Sequence, residues 1–179
     1  RQFKDKDDWR RDNVDLIIKQ ISDTIIANNP EVEFGISPFG VCRNIARDSQ
    51  GSNTMAGATN YDDLYANTLK WQKENWIDYV TLQLYWHIGF DRANFEVLAK
   101  WWAEHKYGAN VYIGHGEYKI SKTSKEVEWR SPDQIVKQIE MIKALPLIDG
   151  SMHFTANVFK RMGDTLRKPI IEKQYKYIA

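Results

Sequence analysis

A chain of 179 residues, 42% hydrophobic and 27% charged, is long enough for one domain with a real core and too apolar for disorder. Its 25 Lys and Arg against 24 Asp and Glu leave a formal charge of +1 and no basic run, so nothing marks a nucleic-acid track. No apolar stretch nears the roughly 20 residues of a membrane span, no charged-then-apolar leader is present, and the single Cys42 excludes an internal disulfide. The chain starts at Arg1 within a charged run and without an initiator Met, so a fragment or processed product is expected. Seven Trp and nine Tyr supply many flat, amphipathic faces.

Residues 9 to 29 place Val14, Ile17, Ile18, Ile21 and Ile25 at helical spacing, with Asp12 or Asn13 as N-cap and Pro30 past the end, which predicts an amphipathic helix. The run "VEFGISPFG" predicts a strand over about 31–37, ended by Pro38. Residues 47 to 60, polar and rich in small side chains, read as a functional loop. Tyr61, Leu64, Tyr65, Thr68 and Leu69 predict a helix over 61–73 capped by Asn60. A second strand follows in "YVTLQLYWHIGF", with Leu82 and Leu84 on one face and Gln83 and Tyr85 on the other.

A helix over 91–105, with Asp91 as its cap, runs through Phe95, Leu98, Ala99 and Trp102 and stops before Gly108. "ANVYIGHGEYKI" predicts a third strand. A helix over 131–145 opens with Ser131 as N-cap, Pro132 at the first position and Gln134 three residues after the cap, and buries Ile135, Ile139 and Ile142. "IDGSMHFTANVF" predicts a fourth strand, and a polar tail begins at Arg161.

Alternation of this period means an α/β fold of parallel βα repeats, as either a barrel or an open doubly wound sheet. Composition does not separate the two. In both, ligands bind where strands end, and the polar clusters sit there: Ser37 to Asn44, Gln83 to His87, His115 to Tyr118 and His153 to Asn157.

Four stretches carry a family resemblance: "DDWRRDNVDLIIKQI", "VEFGISPFGVCRN", "YDDLYANTLKWQKENWIDYVTLQLYW" and "ANVYIGHGEYKI". "FGISPFG" followed by Arg43 and Asn44 is the most specific of the motifs. Through them the chain resembles the glycosyl-hydrolase-like family of bacterial cell-envelope proteins, relatives of the amylase-type (β/α)8 barrels that act on peptidoglycan-type glycans. The resemblance implies the C-terminal half, about strands five to eight, of a TIM-type barrel over residues 1–160, with 161–179 a tail or the start of the last helix. It further implies a periplasmic, secreted or lipoprotein location, a glycan substrate, no cofactor, and a missing N-terminal half-barrel or a second copy of the chain as partner. The family's aspartate-rich end of strand four would precede Arg1.

Glycoside hydrolysis needs two carboxyl groups across the scissile bond. Glu117, between Gly116 and Tyr118 past a strand end, is the one suited to act as the catalytic general acid; the competing reading is a solvated loop glutamate paired with Lys119. Asp48, Asp91 and Asp149 suit the role less well. The expected substrate-binding residues are Ser37, Arg43, Asn44, Gln83, Tyr85, Trp86 and His115. Arg43 and Asn44 suit a carboxylate or acetamido group, Gln83 a sugar hydroxyl or a core hydrogen bond, and Trp86 a stacked pyranose. His87, His115 and His153 each follow a strand, but zinc sites show tighter ligand pairs, so no metal is expected. The favoured function is a glycoside hydrolase fragment whose missing half supplies the second carboxylate; a non-catalytic glycan-binding or scaffold domain is the alternative. A phosphate-binding open sheet is disfavoured because no GxGxxG or GxxxxGK[ST] run follows a strand.

Overall fold

The computed structural model describes residues 2–175. Helix α1 (Lys6–Asn28) leads into strand β1 (Gly35–Ile36), then α2 (Thr68–Lys73), β2 (Tyr79–Gln83), α3 (Phe95–Glu104), β3 (Asn110–His115), α4 (Asp133–Lys143), β4 (Gly150–His153), α5 (Ala156–Arg161) and α6 (Asp164–Tyr175). All strands are parallel and lie in chain order β1-β2-β3-β4. Four parallel strands in unreversed chain order are consistent with part of a barrel, and no reversal point of a doubly wound sheet falls among the described residues.

Register shows the two faces directly. Ile36 pairs with Val80, Val80 with Val111 and Leu82 with Ile113, so these side chains share one face. Val80, Leu82, Leu84, Val111 and Ile113 are wholly buried there with Phe95, Leu98 and Trp102 of α3. A second, smaller apolar cluster of Trp129, Ile135, Ile139, Met162 and Ile170 forms where α6 packs on α4. The expected tail thus holds the end of α5 and one further helix, α6, as far as residue 175. Its last residues, 176–179, lie outside those described.

Several element ends differ from expectation for local reasons. Asp5, not Asp12 or Asn13, caps α1 by accepting Asp8 N at 2.8 Å. The helix expected over 61–73 forms only at 68–73, because Tyr65 takes φ 56° and Asn67 supplies the cap. Asn60 is instead buried, its amide donating to Phe39 O at 2.8 Å. Asn94, not Asp91, caps α3 by accepting Gly89 N and Glu96 N, each at 3.0 Å. Ser131 accepts Asp133 N at 3.2 Å, but α4 starts one residue later than expected, with Pro132 in the cap position and no side-chain cap bond. The fourth strand stops at His153 and turns helical at Ala156.

In α1 only Ile18 of the expected stripe is buried, while Ile17 and Ile21 are exposed. The helix is held instead through buried Asp15, which accepts Lys70 Nζ at 2.7 Å and Trp71 Nε1 at 2.6 Å. No helix among the described residues is long and apolar enough to cross a membrane.

Candidate functional site

The face of the sheet opposite the helices is built from tyrosines seated on glycines. A Cβ on Gly35 would meet the Tyr79 ring at 2.1 Å, and one on Gly150 would meet the Tyr112 ring at 3.4 Å. Tyr85 lies against Gly114 and Gly116, whose added Cβ atoms would stand 3.5 and 3.2 Å from it. Each ring covers the neighbouring strand because that strand has no side chain there. At the C-terminal ends, Gln83 Nε2 donates to Ser37 O at 2.9 Å and Ser37 Oγ at 3.3 Å. Tyr85 packs edge-on to Tyr118 (centroids 5.7 Å, 87°) and tilted to Phe154 (5.8 Å, 32°). Tyr118 and Phe154 are 49% and 51% exposed, so the trio presents an aromatic rim to solvent.

Of the expected groove residues, Ser37, Gln83 and Tyr85 come together on this face. The others do not join them. Alternation carries past the strand ends and puts Trp86 and His115 with Leu84 and Ile113 on the helix side. Trp86 packs on the main apolar cluster beside Gly40, and His115 is wholly buried. Arg43 is engaged by Asp62 at 2.9 Å and Asp48 at 2.7 Å, with its guanidinium over the Tyr61 ring. Asn44 donates to Ala56 O at 2.9 Å and accepts Thr54 Oγ1 and Ala56 N, so both side chains pin the 47–60 loop.

The reading of Glu117 as a solvated loop glutamate is corrected. It is wholly buried and pairs neither with Lys119 nor with solvent: one carboxylate oxygen accepts His153 Nδ1 and the other accepts Phe154 N at 3.1 Å. Lys119 lies over the Trp129 ring. At this geometry Glu117 fastens the end of β4 to the end of β3.

His115 has a complete hydrogen-bond set of its own. Gln138 Nε2 donates to Trp86 O at 3.0 Å, so its Oε1 is the acceptor for His115 Nδ1–H at 2.9 Å, and Nε2 takes Ser151 Oγ–H at 3.0 Å. Burial holds this imidazole neutral, pushing its pKa down to about 4 against the opposing pull of Glu117 and the Gln138 bond. The His153 ring stacks on His115 at 5.4 Å. His87 turns Nδ1 to its neighbour's carbonyl, Ile88 O, at 2.9 Å and does not join the His115–His153 pair. Among the described residues no group of three or more His, Cys, Asp or Glu is placed to hold a metal ion. Cys42 is buried, and desolvation pushes its thiol up to about 12, out of nucleophile range.

Tyr118 and Phe154 were not among the expected site residues. Both sit one position beyond a residue that was singled out, Glu117 and His153, and an aromatic one step past a strand-end polar residue was the available signal.

Residues 2–131 match the family model described as glycosyl hydrolase-like 10. The chain belongs to that family. It is 50% identical over 155 residues to glycosyl hydrolase YngK of Bacillus subtilis (strain 168), covering 86% of this chain and 30% of that protein. It is 37% identical over 182 residues to glycosyl hydrolase DigH of Escherichia coli (strain K12), covering 98% of this chain and 40% of the relative. The chain thus spans less than half the length of these relatives. The glycosyl hydrolase-like 10 match contains all eight expected site residues and stops before α4, leaving His153 and Phe154 to the relatives' longer alignment.

Proposed function

We propose that this chain is the substrate-holding half, about strands five to eight, of a (β/α)8 glycoside hydrolase that acts on cell-wall-type glycan at the bacterial envelope. The observation that carries the reading is the open sheet face, whose C-terminal end joins Ser37 and Gln83 to the rim of Tyr85, Tyr118 and Phe154. Polar groups that grip hydroxyls beside flat rings that cover a pyranose are what a sugar cleft requires.

The half-barrel reading is supported at both edges of the sheet. On the β1 side α1 presents an apolar groove of about 250 Å³ lined by Ile17, Ile21 and Ile25. On the β4 side a cavity of about 340 Å³ lies between His153, Phe159, Ile170 and Ile171. Each large apolar side chain removed from water contributes about 1.5–3 kcal/mol, so both flanks favour being covered. The remaining half-barrel would cover them, or a second copy in its absence. Light scattering of the 179-residue chain on size exclusion would then report self-association, and a cooperative monomer at all concentrations would sink this part.

With Glu117 sealed under the rim, the hydrolytic carboxylates fall to the remainder of the barrel. The same burial favours the second reading, a glycan-binding domain without catalysis. Full-length protein incubated with purified cell-wall glycan decides between them. Release of reducing ends is expected; binding without release would leave only the second reading, and neither would sink both.

A further inference from the structure

Two of the three rim rings stand next to one buried carboxylate. Glu117 has no exposed surface and opens a single turn of 3-10 helix, Glu117–Lys119, with Tyr118 at its centre. Its Oε1 accepts His153 Nδ1 and its Oε2 accepts Phe154 N at 3.1 Å. Tyr118 therefore follows the acceptor directly, and Phe154 carries one of the donors. Their rings meet nearly edge to face, 6.1 Å apart at 81°, and both reach Tyr85. The strands do not depend on this tie: β3 and β4 are in register from Tyr112 opposite Gly150 to His115 opposite His153, and Phe154 N also donates to His115 O at 3.2 Å. A well-packed apolar pair of similar size often holds such a place as well as a buried charged group does. What the carboxylate adds is direction, because two oxygens in one plane take two donors at set angles.

We propose that Glu117 is a positioning residue for glycan binding: its carboxylate, joined to His153 and to Phe154 N, sets the Tyr118 and Phe154 rings at the spacing and angle at which the rim takes a pyranose. This rests on the glycan reading above and adds to it a residue that acts on the sugar through its neighbours. Both rings are half exposed, so packing alone leaves them loosely held, and ordering them before the sugar arrives lowers the entropy lost on binding. The tie needs partners for two groups and not a negative charge. Glutamine supplies them: its amide oxygen can accept Phe154 N while its amide N–H donates to His153 Nδ1 in the other neutral tautomer. Leucine supplies neither. A proton-donating role for Glu117 would, by contrast, be lost in glutamine.

The test measures binding of full-length protein to the N-acetylglucosamine hexamer by calorimetry, with the urea midpoint of each variant alongside. E117Q keeps the tie and is expected to bind within about twofold of wild type. E117L/H153F replaces the pair by apolar side chains of similar size, and the ring at 153 keeps the stack on His115 and the edge contact to Phe159. It should hold a urea midpoint close to wild type while binding about three- to tenfold more weakly. E117D keeps the charge but falls one methylene short of its two donors, so it should weaken binding as well, and it decides the matter if E117L/H153F does not fold. Wild-type affinity in E117L/H153F, or in E117D where that variant stands in, overturns the positioning role and leaves the glycan reading standing. An E117Q loss as large as that of E117L/H153F does the same, since the charge and not the tie would then matter. Failure of the wild type to bind the hexamer overturns both.

Discussion

The two faces of one four-stranded sheet follow different rules. On the helix-covered face Val80, Leu82, Leu84, Val111 and Ile113 have no exposed surface, and the one polar ring among them, His115, has both nitrogens satisfied. On the open face the side chains are tyrosine, threonine and glutamine, the glycines beneath them are seats, and the rim is half exposed. The covered face supplies stability and the open face carries the proposed glycan contacts, so substitutions one residue apart should separate the two.

The largest contrast is along β2 itself. Leu82→Ala removes a wholly buried side chain and should cost about 2–5 kcal/mol in urea unfolding, and Trp86→Ala should cost about 3 kcal/mol because its ring packs on the same cluster. Gln83→Ala, between them in sequence but on the other face, loses only a hydrogen bond to Ser37 and should stay within about 1.5 kcal/mol. Equal losses at Leu82 and Gln83 would break the comparison.

A smaller effect is expected where the faces touch through the backbone. A methyl on Gly114 would stand 2.7 Å from Leu82 O, a main-chain atom that cannot step aside, so Gly114→Ala should cost about 1–3 kcal/mol. Gly163, with open space around its would-be Cβ, is the control and should change stability by less than about 0.5 kcal/mol as alanine.

Much of this division was legible in the chain. Period-two alternation at Val80, Leu82 and Leu84 and the βα order were enough to give parallel strands with a ligand end. The same alternation, carried two residues further, assigns Trp86 and His115 to the covered side, but their polar tips suggested an exit to solvent. What chemistry-based reading could not supply was the partner set: Gln138 is 23 residues from His115, and Glu117 is 36 from His153. The α1 stripe misled for a related reason. Helical spacing reports that a face is apolar and not whether this sheet covers it, and Ile17 and Ile21 point elsewhere.

The covered face should also titrate. His115 is held neutral in the native protein down to about pH 4, whereas in the unfolded chain it takes a proton near its ordinary 6.5. Between those values the unfolded state binds more protons, so stability is complete above about 6.5 and is lost as pH falls toward 4. Urea midpoints of wild type against His115→Gln should converge across this window, the variant being weaker at neutral pH but flatter in acid. Parallel curves would mean that the imidazole is not held neutral.

The smallest effect on stability should accompany the largest effect on binding. Tyr118 is 49% exposed and touches its neighbours only by ring edges and faces, so Tyr118→Ala should move the unfolding free energy by less than about 1 kcal/mol. If the open face holds glycan, the same change removes a stacking surface and should weaken oligosaccharide binding by tenfold or more, while Tyr118→Phe keeps the ring and should bind nearly as wild type. Trp86→Ala is the mirror image, losing stability with little change in the affinity of the folded fraction. A Tyr118→Ala protein that binds normally would move the sugar away from the rim, and the face would then be no more than the inner wall of a barrel.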